Sequence, residues 1–191
     1  MKKALFSFAI LAAGLLVASC GNKNEKAAAT EGAEAEVVVP EGYKTHEFAH
    51  FTISVPEEFT TSYDASSDNV RFESEAMLKH DDGDEYSSGA YIDCSFGTGG
   101  ATPLQIKEVA TNLKLGQEAT GEICDEPTID GNIILMRHYY NNEDGGYKVI
   151  TWRWWIIGED GKFIAGDIYY PDSEAKYYDG VARKIVKTIK F

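Results

Sequence analysis

His46-Glu47-Phe48-Ala49-His50 is a literal H-E-x-x-H. On a helix that spacing places two imidazoles one turn apart to ligate zinc, with the glutamate acting as base on the metal-bound water. The flanking residues predict otherwise. His50 abuts the alternating run Phe51-Thr52-Ile53-Ser54-Val55, Lys44 sets a charge just ahead of the motif, and no apolar helical face extends beyond it. On a strand the two rings share a side but stand about 13 Å apart, too far to share one ion. A third ligand would also be needed, for which Glu73 and Glu75 are nominal candidates. The expectation is strand or loop over residues 46–50, with no catalytic residue, no metal and no cofactor. The alternative is a zinc metallopeptidase with His46 and His50 as ligands and Glu47 as base.

Other chemistry-bearing groups are weaker. Asp81, Asp82, Asp84 and Glu85, next to His80, offer hard oxygen donors. Their spacing departs from the calcium-loop pattern D-x-[DN]-x-[DN]-G, so a solvated loop is expected. Trp152, Trp154, Trp155, Tyr139, Tyr140, Tyr169 and Tyr170 would form a glycan-stacking platform if at least two stood exposed side by side; burial in a sheet is the more economical use of them. There is no G-x-S-x-G and no phosphate loop. Eighteen basic against 31 acidic residues give a formal charge of −13, which disfavours nucleic acid and anionic headgroups and leaves neutral, cationic or metal-bridged partners. Cys94 and Cys124 leave two readings open: a disulfide between them, or a reduced Cys94 that alternates with Ala90, Ile92 and Phe96 as a small buried hydrophobe.

The N-terminus is built for export. Met1-Lys2-Lys3 is basic, Ala4 to Val17 is apolar, and small residues precede Cys20, so residues 1–19 read as a signal peptide. The apolar run is shorter than the roughly 20 residues that cross a bilayer. Leu16-Val17-Ala18-Ser19-Cys20 resembles the lipobox of bacterial lipoproteins. That resemblance implies cleavage before Cys20, lipidation of its sulfur and attachment to a membrane of the bacterial cell envelope. Gly21, where an Asp would mark inner-membrane retention, points to the outer membrane, facing the periplasm or the cell surface. Residues 20–42 carry no aromatic residue and read as an Ala/Glu-rich tether with a reach on the order of 25 Å.

Residues 43–191 must position whatever the protein uses, and they read as one globular domain. Strands are expected at 51–55, 69–77 and about 89–96. A helix opens at Thr102-Pro103, carries Leu104, Ile106, Val109, Ala110 and Leu113, and stops at Gly116. Three strands follow between Ile133 and Tyr170, separated by turns at Asn142 to Gly146 and at Gly158 to Gly161. An amphipathic helix from Asp172 to about Ile189 closes the chain. On the middle strand Ile150, Trp152, Trp154 and Ile156 face one way and Val149, Trp155 and Ile157 the other, so both sides of the sheet need cover. The class is α+β, an antiparallel sheet of approximately six strands with helices on both faces.

Phe51-Thr52-Ile53-Ser54-Val55-Pro56-Glu57-Glu58-Phe59, the strand Val70-Arg71-Phe72, the aromatic strands and the closing helix Tyr178 to Ile189 together resemble the PsbP-like fold, over about Glu47 to Phe191. That family includes the extrinsic photosystem subunit and the Ran-binding Mog proteins. The resemblance implies an α/β/α sandwich that binds or assembles, with an unknown protein or small ligand as partner. It carries over no catalytic residue.

Overall fold

The computed structural model describes residues 38–61, 68–78, 88–142 and 146–191. The expected signal peptide, Cys20, most of the expected tether and the Asp81 to Glu85 cluster lie outside the described residues. The first two strands, β1 (Tyr43–Glu47) and β2 (Thr52–Pro56), form a separate antiparallel hairpin in register from Tyr43↔Pro56 to Glu47↔Thr52. The remaining strands are β3 (Phe59–Thr61), β4 (Asn69–Ser74), β5 (Tyr91–Gly97), β6 (Ile123–Cys124), β7 (Thr128–Asp130), β8 (Ile133–Asn142), β9 (Tyr147–Ile157) and β10 (Phe163–Pro171). They make one eight-stranded sheet ordered β3-β4-β5-β10-β9-β8-β6, with β7 pairing a second stretch of β8; every pairing is antiparallel. Among the described residues there are three α-helices: α1 (Glu75–Leu78), α2 (Ile106–Ala119) and α3 (Ala175–Ile185).

The α+β class holds, with four differences from expectation. The sheet has eight strands rather than six, and the Phe51 to Val55 strand is not in it. That strand belongs to the hairpin, where Phe51, Ile53 and Val55 enter the core shared with α3, and Thr52 exchanges backbone hydrogen bonds of 2.9 and 3.1 Å with Lys190. The strand expected to reach Met77 stops at Ser74, whose hydroxyl accepts from the Ala90 amide at 2.9 Å and from the Met77 amide at 3.4 Å, opening α1. Gly116 does not stop α2. It sits exposed with open space where a Cβ would be, so the helix tolerates it and runs to Ala119, where Gly121 at φ +88° takes the left-handed turn.

The two faces of the sheet are covered unequally. On one, Val70, Phe72, Ile92, Cys94, Ile150, Trp152, Trp154, Ile164 and Ile168 pack with Tyr178, Val181, Ala182 and Ile185 of α3 into a continuous core. Gly166 is required there, because a Cβ would lie 2.5 Å from the Trp154 ring and 2.6 Å from the Asp93 carbonyl. Asp179 of α3 ties the helix to three strands: it accepts from the Tyr170 hydroxyl at 2.5 Å, the Trp152 indole N–H at 2.7 Å and Arg137 Nε at 3.3 Å. On the other face α2 contributes a smaller cluster, with Ala110, Ile106, Val109 and Leu113 over Ile134, Ile157 and Trp155. Beyond that cluster and the buried Met136 and Val149, the face carries a row of charged side chains.

Candidate functional site: the open face of the sheet

Strand alternation and register build the polar face. Arg71 of β4 lies opposite Asp93 of β5, Asp93 opposite Asp167 of β10, and Asp167 opposite Arg153 of β9. One row across four strands therefore reads plus, minus, minus, plus. Arg71 donates from Nε and Nη2 to the two Asp93 oxygens at 2.7 and 2.6 Å. Arg153 donates from Nε to Asp167 at 2.6 Å, more weakly from Nη2 at 3.4 Å, and from Nη1 to the Gln117 side chain of α2 at 2.6 Å. Such forked pairs fix both partners' orientation as well as their charge.

The next row carries Glu73, Tyr91, Tyr169, Thr151 and His138. Tyr91 and Tyr169 stack at 4.6 Å, and the Arg71 guanidinium lies 4.7 Å from the Tyr91 ring centroid. Burial and the neighbouring Asp93 push the Tyr91 hydroxyl up to about 12. Burial also raises the Asp167 carboxyl, and Arg153 opposes that rise only in part. His138, its side chain 2% exposed, bonds Glu122 through Nδ1 and leaves Nε2 with no protein partner; burial holds its pKa below the ordinary imidazole value.

Where α2 ends its cover, the face opens into a groove of about 660 Å³ lined by Asn69, Arg71, Glu73, Asp93, Ser95 and Asp167, among others. The volume falls inside the usual range for ligand sites, roughly 300 to 1,000 Å³. Two adjacent carboxylates, each steadied by an arginine, present oxygens to a cation or to N–H and O–H donors, while the half-exposed Arg71 offers N–H groups to an acceptor.

The structure separates the residues that the zinc alternative needed together. His46 is on β1, paired with Ile53, with its ring edge-on to Phe72 at 4.9 Å; burial lowers its pKa. Glu47 is exposed at the strand's end. His50 stacks on Phe96 at 4.4 Å, with Nε2 3.5 Å from Asp68. Glu73 faces the groove and Glu75 begins α1. Among the described residues no group of three His, Cys, Asp or Glu side chains is arranged to hold a metal. The strand at residues 46 and 47 removes the helical geometry on which the metallopeptidase alternative depended.

A disulfide between Cys94 and Cys124 is likewise corrected, since both are free thiols. Cys94 is on β5 and Cys124 on β6, with β10, β9 and β8 between them, a separation of about 19 Å at the usual strand spacing. A bridge needs Cα atoms within about 7 Å. Cys94 is instead a buried hydrophobe whose thiol burial pushes well up.

Of the aromatic set, Trp152, Trp154 and Tyr170 are buried, Trp155 stacks on Phe163 at 4.9 Å, and Tyr140 is 44% exposed. The faces of Tyr91 and Tyr169 are turned to each other rather than to a sugar. Sequence reasoning missed Arg71, Asp93, Arg153 and Asp167. The available signal was a charged residue on the same side of four strands whose other positions are aromatic or β-branched.

Comparison with known proteins bears on the fold. No family model and no curated protein sequence matches the chain. Among solved structures, the Saccharomyces cerevisiae Ran-binding protein Mog1p aligns with a TM-score of 0.52 over 78% of this chain and 94% of its own, at 12% identity. The fold is Mog/PsbP-like. A cyanobacterial PsbP from Synechocystis aligns over 83% of this chain and 97% of its own at 10% identity, with a TM-score of 0.46. At such identities the likeness extends to the path of the chain and not to any site residue.

Proposed function

We propose that this protein is a non-enzymatic binding module held at the bacterial cell envelope by lipid on Cys20, and that it binds its partner in the groove over β4, β5 and β10. The groove itself carries the reading. A sheet face that α2 leaves open, with two forked arginine–carboxylate pairs standing side by side on it, is organised for recognition. Polar groups already locked to one another make poor proton shuttles but good fixed contacts. The chain's charge of −13 favours a partner with cationic or hydrogen-bond-donating groups, which the adjacent Asp93 and Asp167 carboxylates suit. The yeast protein with this fold is itself a binding protein, which is in keeping with that use of the fold.

A photo-crosslinking residue at Ser95, on the groove side of β5, tests the reading in intact cells, with the same residue at exposed Glu118 of α2 as control. A discrete adduct from position 95 that disappears on adding Asp93→Asn supports it; equal labelling from both positions, or none from 95, overturns the groove as the binding surface. Incorporation of an alkyne fatty acid into the wild type but not into Cys20→Ser tests the anchor, and an unlabelled wild type removes it.

A further inference from the structure

A second cavity lies on the other side of the sheet, away from the polar groove. It measures about 400 Å³ and is walled by Ile133 and Leu135 of β8, Trp152 of β9 and Val186 just past α3. Arg183 in the last turn of α3 and Lys187 just beyond the helix stand at this slot, and Asp130 of β7 borders it as well. The Arg183 guanidinium lies 5.0 Å from the centroid of the Trp152 ring. Among the described residues neither Arg183 nor Lys187 is ion-paired with a carboxylate.

The contrast with the rest of the molecule is informative. This chain has 31 acidic residues to 18 basic, and its sheet-face arginines Arg71, Arg137 and Arg153 are all matched to carboxylates. Among the described residues Arg183 is the one arginine of four with no carboxylate at ion-pair distance, its guanidinium lying over Trp152 at the slot instead. Arg183 and Lys187 beside the apolar slot complement a ligand that is apolar along its length and anionic at one end.

We propose that the slot binds a single small amphiphilic carboxylate, an unbranched acyl chain of medium length, with its tail on Ile133, Leu135, Trp152 and Val186 and its carboxylate between Arg183 and Lys187. The volume is at the small end for ligand sites, which suits one acyl chain and excludes an amphipathic helix of a partner protein. Burial of methylene groups supplies affinity, up to about fourfold per added CH₂ until the slot is full. The two cations supply direction, and Asp130 opposes them.

The test uses the full chain in phosphatidylcholine nanodiscs, titrated with hexanoate, octanoate and decanoate carrying a terminal bromine that quenches tryptophan on contact. The corresponding bromo-alcohols serve as uncharged isosteres and empty nanodiscs as the partition control. Saturable quenching should tighten with chain length for the carboxylates. Replacing both cations (Arg183→Gln with Lys187→Gln) should weaken carboxylate binding by at least tenfold while leaving alcohol binding and the melting temperature unchanged. Asp130→Asn should tighten carboxylate binding by about twofold to threefold. Equal affinity for carboxylates and alcohols, indifference to the double replacement, or quenching that does not saturate would each overturn the proposal.

Discussion

On the α3 side of the sheet, Phe72, Trp154, Ile164, Ile168 and Ile185 are fully enclosed, and the one carboxylate that enters, Asp179, is met by three donors from three strands. On the α2 side the apolar cover stops at Ile134, Ile157 and Trp155, and Arg71, Asp93, Asp167 and Arg153 continue the face as ion pairs. The same strands supply both surfaces, since alternate residues point opposite ways. One side is spent on stability and the other is left available. Two aspartates make the point electrostatically. Burial pushes Asp179 upward, but its donors from Trp152, Tyr170 and Arg137 outweigh burial and leave the carboxyl below its ordinary range; at Asp167 burial prevails over Arg153 and leaves the carboxyl above it.

The comparison is most sharply broken by Phe72→Ala. Phe72 is wholly buried between the β1–β2 hairpin and the sheet, touching His46 and Phe48, so its truncation should cost about 3 to 5 kcal/mol in denaturant unfolding. A cost under 1 kcal/mol would mean that this face is not the stabilising one.

Asp179→Asn should come next, at about 2 kcal/mol near pH 7, because three donors lose a charged acceptor. Since its folded pKa lies below the unfolded value, the stability it contributes is present in full above the unfolded carboxyl range and is lost as pH falls through the folded value. The gap between wild type and variant should therefore close on acidification. Asp167→Asn should behave with the opposite sign, costing least where Asp167 would have to ionise and most in acid, because its folded pKa is raised. Unfolding midpoints for the three proteins between pH 3 and 7 would decide it.

The smallest effects are expected on the α2 side. Leu113→Ala, half-buried against the small cluster, should cost about 1 kcal/mol, and Arg71→Gln, whose ion pair is exposed, less than about 0.5 kcal/mol. If Arg71→Gln destabilised as much as Leu113→Ala in the same thermal melts, the polar row would be structural rather than a free recognition surface.

Much of the fold could be read from residues 133–171. Glycine-bearing turns and alternating aromatic strands are local signals, and the apolar residues on both sides of β9 required cover on both faces. The short strands β3, β6 and β7, of three, two and three residues, left no such pattern, because pairing with β4 and β8 rather than their own composition makes them strands. The hairpin was half legible: Phe51 to Val55 alternates visibly, but it pairs with β1 in a sheet of its own, and its other edge meets Lys190 at Thr52.

What the sequence by itself determined is therefore what depends on neighbours along the chain: the alternating strands of the meander, the turn at Thr102-Pro103 that leads into α2, and the departure of His46 to His50 from a helical metal motif. The tertiary structure alone decided which distant residues meet. Arg71 meets Asp93 across 22 positions, Arg153 meets Gln117 across 36, and Ser54 meets Thr188 across 134. Strand register fixes the first, and the packing of α2 and of the turn after α3 fixes the other two. The open groove and the cation-rimmed slot are both products of where α2 and α3 stop covering that sheet.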